Sequence, residues 1–167
     1  MSNKKDVSVL FVCLGNICRS PTADAVFAGR VEAKGLSYQV KVDSAGTAAY
    51  HVGSLPDRRS MATAQKRGYD MSHLRARQAT VDDFYHFDYI FAMDKENLAN
   101  LKTLQKKAGD GAQAKLALFL PFLAPNTPEP EVPDPYYGGD EGFEHVLDLI
   151  EAASDRLLDY LQQEHSL

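Results

Sequence analysis

Residues 7–21 read VSVLFVCLGNICRSP, and this stretch decides the fold. Its first six residues are largely apolar and rich in β-branched side chains, a pattern typical of a strand buried on both faces of a sheet. At its end, Ser20 suits the N-cap of a helix and Pro21 suits the first helical position. The stretch therefore predicts a strand, a short loop and a helix, as at the start of an α/β domain.

The rest of the chain continues this alternation of strands and helices. We therefore expect a single-domain, three-layer α/β sandwich over residues 1–167, in which a four-stranded parallel sheet carries helices on both faces. Six prolines stiffen residues 121–139, which we predict to form a long loop, and such loops are often functional. The predicted strands are 7–12, 38–43, 88–93 and 115–120. The predicted helices are 21–34, 57–66, 81–86, 94–107 and 141–163, and Asp94 is expected to be the N-cap residue of the fourth.

Composition and charge exclude several classes of protein. The 167 residues carry a formal net charge of −5, so the basic surface of a general nucleic-acid-binding protein is missing. Two cysteines do not make a secreted disulfide scaffold. The apolar run 7–12 is too short to span a membrane, and no signal-peptide cleavage site follows it. We expect a soluble, cytoplasmic protein that binds neither nucleic acid nor membrane.

The loop between the first strand and the first helix predicts a site for a phosphate-sized anion. A loop that enters a helix points free backbone N–H groups at one spot, and the helix dipole adds partial positive charge there. Gly15 is expected to take backbone angles that are barred to other residues. Neither the P-loop pattern nor the dinucleotide-binding glycine pattern is present. Residues 13–19, termed the phosphate loop, are expected to bind phosphate together: Cys13, Leu14, Gly15, Asn16, Ile17, Cys18 and Arg19.

A thiol and a guanidinium mark the two ends of the phosphate loop. Five residues separate Cys13 from Arg19, which allows the loop to wrap one phosphate with the sulfur below the phosphorus. Arg19 can then bind two phosphate oxygens bidentately, as a lysine could not. The backbone N–H groups and the helix dipole should also favour Cys13 as a thiolate nucleophile. Ser20 is placed to donate a hydrogen bond to that sulfur.

These motifs resemble those of a known family, the low-molecular-weight protein tyrosine phosphatases. The run VLFVCLGNICRSP at 9–21 matches the family signature almost throughout, and DPYYG at 134–138 matches its general-acid segment. Shorter matches lie between them in family order: SAGT at 44–47, PD at 56–57, FDYI at 87–90 and MD at 93–94. The chain departs from the family at Tyr50, where Trp is common, and at His51, where some members have Asn.

The resemblance implies a mechanism and the residues that carry it. Cys13 would attack phosphorus and form a phosphocysteine intermediate, while Asp134 would protonate the leaving phenolate and later deprotonate the attacking water. Neither a metal nor an organic cofactor is implied. The loop would be supported by Asn16, Ser20, Ser44 and His73, and the slot for the aromatic ring would be lined by Leu14, Tyr50, Tyr136 and Tyr137.

The two cysteines also predict redox control. Cys18 lies five positions after Cys13, and a loop wrapped around one phosphate brings its own residues within about the 7 Å between Cα atoms that a disulfide allows. A thiolate is the form most open to oxidation, through a sulfenic acid that a neighbouring thiol can capture. We therefore expect peroxide to form a reversible Cys13–Cys18 bridge, the alternative being that Cys18 only packs under the loop.

The expected partners are tyrosine-phosphorylated proteins and a cognate tyrosine kinase, and the expected assembly is a monomer or weak dimer. Two other functions stay open: a thiol-dependent arsenate reductase, and a phosphotyrosine-binding module on an inactive phosphatase scaffold. Residue by residue, Cys13 could be an ordinary buried cysteine, and Asp134 before Pro135 could be a plain turn residue. A basic group that includes Arg58 and Arg59 is expected to be a solvated face.

Overall fold

Parallel strands and covering helices alternate along the chain. The structure, a computed structural model, describes residues 6–136 and 138–167. The predicted α/β class and four-stranded parallel sheet are confirmed. The elements are β1 (Val7–Cys13), α1 (Arg19–Ala33), β2 (Val40–Gly46), α2 (Arg58–Lys66), α3 (Asp83–His86), β3 (Tyr89–Ala92), α4 (Lys95–Ala108), β4 (Lys115–Leu118), α5 (Phe119–Leu123) and α6 (Asp140–His165).

β1 lies inside the sheet, whose strand order is β2-β1-β3-β4. It pairs in parallel with β2 along its whole length, where Cys13 lies opposite Gly46, and with β3, where Val12 lies opposite Ala92. Because all four strands are parallel, the segments that follow them meet at one edge of the sheet, which is where α/β proteins bind their ligands. The phosphate loop therefore lies beside the residues that follow β2 and β3.

The side chains of β1 alternate between two hydrophobic cores, one on each face of the sheet. Val9, Phe11 and Cys13 belong to the core beneath α1 and α6, and Leu10 and Val12 belong to the core beneath α3 and α4. Fully burying a Phe, Leu or Ile side chain stabilises the fold by roughly 1.5–3 kcal/mol, so both faces contribute strongly. The first core also contains Phe27, Phe91, Phe119 and Ile150, and the second contains Phe84, Ile90 and Leu101.

The first helix begins two residues before its predicted start at residue 21. Cys18 is the N-cap residue of α1, and its side chain makes no capping hydrogen bond. Ser20, predicted to be the cap, is fully buried in the first turn, and its hydroxyl points to the phosphate loop instead. The cap assignment is therefore wrong, and without a side-chain cap the N–H groups at the start of α1 remain available to an anion.

The fourth strand ends two residues before its predicted end at residue 120, and a short helix follows it. β4 ends at Leu118 and α5 covers Phe119–Leu123, where the sequence pattern predicts a strand and then a loop. The ring of Phe119 is buried with its centroid 5.1 Å from that of Phe11. Packing into the core therefore sets this turn. Pro121 lies in its first turn, where a missing N–H removes no helical hydrogen bond.

α6 has 26 residues and lays one apolar stripe on the sheet and α1. The stripe includes Phe143, Val146, Leu147, Ile150, Leu157, Leu158 and Leu161, all buried. Its other face is polar. Within the described part of the chain, no helix combines the length and the hydrophobicity needed to cross a membrane.

Candidate active site

Backbone hydrogen bonds hold the phosphate loop from two sides. The two residues that follow β2 donate N–H bonds of 2.9 and 3.0 Å to the carbonyls of Cys13 and Leu14. From the other side Asp57, the N-cap residue of α2, donates its N–H to the Ile17 carbonyl at 2.8 Å. β2 itself runs to Gly46, past its predicted end at residue 43, and a Cβ there would lie 2.7 Å from the Leu14 carbonyl oxygen. The loop therefore crosses directly over the end of β2.

Asn16 organises the interior of the phosphate loop. Its side chain is buried, and Nδ2 donates to Ser20 Oγ at 2.8 Å and to Ser44 Oγ at 3.0 Å. Its Oδ1 accepts from the backbone N–H of Arg77 at 3.0 Å. Asn16 also takes the left-handed conformation, with φ 58°, which Asn tolerates better than most residues. One side chain thus ties the phosphate loop to α1, to β2 and to the segment around residue 77.

Two expectations about this loop are wrong. The left-handed residue is Asn16 and not Gly15, whose role is close approach, since a Cβ on Gly15 would lie 2.9 Å from Cδ2 of His51. His73 is exposed, and among the described residues it makes no hydrogen bond to the loop, whose Asn16 Oδ1 accepts from Arg77 instead. The backbone of Arg77 supports the loop in place of His73, because residues 77–79 run beside Gly46, whereas residues 72–75 are mostly exposed.

Cys13 and Ser20 lie together at the start of the cleft. Cys13 is 3% exposed, and its Sγ is 3.0 Å from Ser20 Oγ. Ser20 Oγ also lies 3.2 Å from the carbonyl oxygen of Ala45 and accepts the hydrogen bond from Asn16. The hydroxyl has one proton, so it can donate either to the sulfur or to that carbonyl. A negative charge on sulfur draws the proton toward Cys13, because hydrogen bonds to charged acceptors are the stronger ones.

Arg19 is 3% exposed, and its guanidinium is held by Asp94, two residues after β3, and by the segment before Asp134. Its Nη1 donates to Asp94 Oδ2 at 2.7 Å and to the Val132 carbonyl at 3.0 Å. Burial alone would lower the pKa of Arg19, but the negative charges of Cys13, Asp94 and Asp134 raise it, so the guanidinium stays charged. Sequence reasoning assigned Asp94 only the cap of α4. Asp94 does cap α4, because its Oδ1 accepts from the backbone N–H of Asn97. Its Oδ2 accepts from Arg19 and so orients the guanidinium.

Asp134 lies in residues 133–136, termed the acid segment, on the opposite side of the cleft. Its Oδ1 accepts from the Tyr136 N–H at 3.0 Å, and its Oδ2 is 3.7 Å from Arg19 Nη2. The side chain is 39% exposed. The neighbouring acids point elsewhere: Glu131 accepts from the N–H of the first α4 residue, and Glu129 pairs with His145. Asp134 is therefore the carboxyl group of this region that faces the cleft.

The cleft has a volume of about 350 Å³. Tyr50 and Tyr136 stand at its mouth, 76% and 38% exposed, beside Leu14. Cys18 is buried, and burial together with the charge of Asp57 raises its pKa to about 12. Tyr137, the remaining predicted wall residue, lies outside the described residues. The lining consists of Cys13, Leu14, Gly15, Ile17, Cys18, Arg19, Tyr50, His51, Asp134 and Tyr136.

The cleft brings together the thiol of Cys13, the guanidinium of Arg19 and the carboxyl group of Asp134. In the part of the chain that is described, no group of three or more His, Cys, Asp or Glu side chains is placed to hold a metal ion. Thiol and guanidinium together suit nucleophilic attack on a bound anion. The carboxyl group of Asp134 adds a group that can donate or accept a proton in the same cleft.

Comparisons with known proteins agree with this chemistry. A family model described as low molecular weight phosphotyrosine protein phosphatase matches residues 8–167. The low molecular weight phosphotyrosine protein phosphatase of Schizosaccharomyces pombe is 48% identical over 140 residues, 83% of this chain and 86% of that protein. Its human namesake is 43% identical over 148 residues, 87% of this chain and 90% of that protein. The crystal structure of a protein tyrosine phosphatase from Entamoeba histolytica superposes with a TM-score of 0.86 at 38% identity, covering 97% of this chain and 100% of that chain.

Proposed function

The chain belongs to the family of low molecular weight phosphotyrosine protein phosphatases, and on this premise we propose that it hydrolyses phosphotyrosine in proteins, and small aryl phosphates, through a phosphocysteine intermediate. It is thus a protein tyrosine phosphatase, a hydrolase. The observation that carries the mechanism is that Cys13, Arg19 and Asp134 line one cleft at the carboxyl edge of the sheet. In this proposal residues 1–167 act as one phosphatase domain.

In the first step the Cys13 thiolate attacks phosphorus, and an S–P bond forms as the P–O bond to the aryl group breaks. The N–H groups of the phosphate loop and the Arg19 guanidinium bind the three remaining phosphate oxygens as their charge changes. Asp134 donates its proton to the departing oxygen, so the first product leaves as a neutral phenol.

In the second step a water molecule attacks the phosphocysteine. Asp134, now a carboxylate, accepts a proton from that water, and the S–P bond breaks with its electron pair returning to sulfur. Ser20 Oγ, 3.0 Å from Cys13 Sγ, donates a hydrogen bond to the re-forming thiolate. Inorganic phosphate is released. The exposed carboxyl group of Asp134 suits a residue that must give a proton and then take one.

The shape of the cleft supports aryl over alkyl phosphates. Leu14, Tyr50 and Tyr136 offer apolar surface between the phosphate loop and solvent, where a phenyl ring would lie. The alternative of a thiol-dependent arsenate reductase needs resolving cysteines outside the loop, and the sequence holds only Cys13 and Cys18. The alternative of an inactive binding module is disfavoured because nucleophile, guanidinium and acid are all present in one cleft.

The proposal extends to partners and location. Tyrosine-phosphorylated proteins are its substrates, and a cognate tyrosine kinase is a candidate partner. The protein would act in the cytoplasm as a monomer or weak dimer. Both cysteines are free thiols, which suits a reducing compartment.

The test of the mechanism is the turnover of an aryl phosphate by wild type and by Cys13→Ser. We expect the variant to lose activity while still binding inorganic phosphate in a calorimetric titration, because a serine hydroxyl is far less ionised than a thiol and is a much weaker nucleophile. A variant that keeps more than a few per cent of wild-type turnover would contradict the phosphocysteine mechanism. Thioredoxin-coupled arsenate reduction without aryl phosphatase activity would support the reductase.

A further inference from the structure

Arg59, in the first turn of α2, touches both the acid segment and α6. Its Nη2 donates to the carbonyl oxygen of Tyr136 at 2.8 Å, two residues after Asp134. Its guanidinium carbon lies 5.5 Å from the centre of the Tyr136 ring and 4.7 Å from that of Phe143. The side chain is 40% exposed. The sequence places it on a solvated basic face, yet in the structure it makes specific contacts.

Asp57 links Arg59 to the phosphate loop. The Asp57 carboxylate accepts from the backbone N–H of Arg59 at 2.8 Å and lies 3.3 Å from its Nη2. The Asp57 N–H in turn donates to the Ile17 carbonyl within the phosphate loop. Phe143, the other partner of Arg59, shares a buried cluster with Ile17 and Cys18. A continuous set of contacts therefore runs from the loop that holds phosphate to the segment that carries Asp134.

The acid segment needs such an anchor because it has few backbone donors of its own. Pro133 and Pro135 lack N–H groups. On one side the segment is fixed at Val132, whose N–H donates to the Met93 carbonyl and whose carbonyl accepts from Arg19. The carboxylate of Asp134 lies 3.7 Å from Arg19, beyond the length of a direct hydrogen bond. The bond from Arg59 fixes the other side.

We propose that Arg59 is a positioning residue for the proton transfer: by joining the Tyr136 carbonyl to Asp57 and the phosphate loop, it holds Asp134 at the distance from Cys13 that leaving-group protonation requires. The proposal rests on Asp134 being the general acid. Arg59 does not touch the phosphate or the reacting atoms in this scheme. A planar guanidinium is needed, because it donates to a carbonyl and a carboxylate while contacting aromatic faces, which a lysine ammonium cannot do together.

The experiment compares Arg59→Gln with Arg58→Gln, on two substrates. Arg58 is the adjacent residue, has the same charge and is exposed, so its replacement controls for the loss of one positive charge near the cleft. The substrates are phenyl phosphate, whose leaving group needs a proton, and p-nitrophenyl phosphate, whose leaving group needs it much less. Arg59→Lys is the second variant, which keeps the positive charge but loses the planar guanidinium group.

We expect Arg59→Gln and Arg59→Lys to lower kcat/KM for phenyl phosphate by about 10- to 100-fold, and for p-nitrophenyl phosphate by less than about 3-fold. Inhibition by inorganic phosphate and the thermal unfolding midpoint should stay near wild type, and Arg58→Gln should behave as wild type on both substrates. In an Asp134→Asn background, Arg59→Gln should add little, since both changes remove the same proton transfer.

Three results would overturn the positioning role: equal losses on the two substrates, the same losses in Arg58→Gln, or full additivity with Asp134→Asn. Failure of the underlying mechanism looks different. If Asp134→Asn alone affects both substrates equally, Asp134 is not the acid, and the role of Arg59 falls with it. If Asp134→Asn is selective for phenyl phosphate and Arg59→Gln is not, only the positioning role is rejected.

Discussion

The phosphate loop and the acid segment face each other across one cleft but are held in different ways. The phosphate loop is buried, with Asn16 and Arg19 only 2% and 3% exposed, and both its backbone and its interior are hydrogen-bonded. The acid segment carries Asp134 and Tyr136 at 39% and 38% exposure. The proposed phosphate site is thus buried and hydrogen-bonded, whereas the proposed proton donor is open to water.

The first test of this contrast removes the acid and leaves the loop intact. Asp134→Asn should lower kcat/KM by roughly 10²–10⁴-fold for a phenol of high pKa, and much less for a leaving group that needs no proton. Inorganic phosphate should inhibit the variant as it inhibits wild type, because the phosphate loop is unchanged. Equal losses on both kinds of substrate would assign the acid role to another residue.

A second test uses the buried carboxyl group of Asp24, next to Ser44 behind the phosphate loop. Burial and the charge of Asp43 raise the pKa of Asp24 to about 7, against an opposing hydrogen bond from Ser44. In the unfolded chain Asp ionises near about 3.9. Between these values the unfolded state holds fewer protons, so the free energy of unfolding falls as pH rises from about 4 to 7.

Replacing Asp24 with Asn should remove that dependence. As pH rises from about 4 to 7, the free energy of unfolding of wild type should fall relative to that of Asp24→Asn by a few kcal/mol, on the order of 1.4 kcal/mol per pH unit. Urea unfolding of both proteins at pH 4.5, 6 and 8 measures it. Parallel stability curves for the two proteins would show that Asp24 keeps an ordinary titration in the fold.

A third test concerns oxidation, which should affect the buried loop and spare the acid segment. Cys18 remains a thiol at neutral pH because its pKa is raised to about 12, so Cys13 is expected to react first with peroxide. The resulting sulfenic acid condenses with Cys18, forming a disulfide and releasing water. Wild type should recover with dithiothreitol, whereas Cys18→Ser should lose activity irreversibly, and bound phosphate should protect both. Full recovery of Cys18→Ser would make Cys18 a spectator.

The smallest expected effect is at the mouth of the cleft. Tyr50→Ala should reduce the preference for aryl over alkyl phosphates by about 2- to 10-fold, since aromatic contacts add roughly 0.5–1.5 kcal/mol beyond burial. Inorganic phosphate binding should change less. Tyr38→Ala is a matched control, because Tyr38 is 88% exposed and lies just before β2, at the end of the strands opposite the cleft. If wild type already hydrolyses phosphoserine and phosphotyrosine peptides equally well, the aromatic walls do not select.

Local signals predicted much of this molecule from sequence. The strand, loop and helix at residues 7–21 lie next to one another in the chain, so their pattern could be interpreted directly. The hydrogen-bond partners of Asn16 show what local sequence patterns cannot predict. Ser20 and Ser44 have hydroxyl groups that suggest a role, but the contact from Arg77 is a backbone N–H, which every residue except proline has. No residue type marks it, and His73 was expected in its place.

For some residues the sequence predicted a local role but not the distant contact that the structure shows. Asp94 precedes a helix and was correctly interpreted as its N-cap, but its bond to Arg19 joins residues 75 positions apart. Arg59 was assigned to a solvated face because nothing near it in sequence suggests its contact with Tyr136, 77 positions later. α5 likewise depends on the packing of Phe119 against Phe11. In each case the missing information is a tertiary contact.

The partners of Arg19 also bear on the order in which the protein becomes active during synthesis. Asp94 and Val132, which hold its guanidinium, lie 75 and 113 residues after it, and Asp134 follows Val132. Contacts between residues so far apart form late, because a long stretch of chain must first be brought together. A nascent chain on the ribosome therefore carries the thiol of Cys13 long before the acid has been translated. In the proposed mechanism, the capacity to turn over substrate therefore arrives only after Asp134 has been added to the polypeptide.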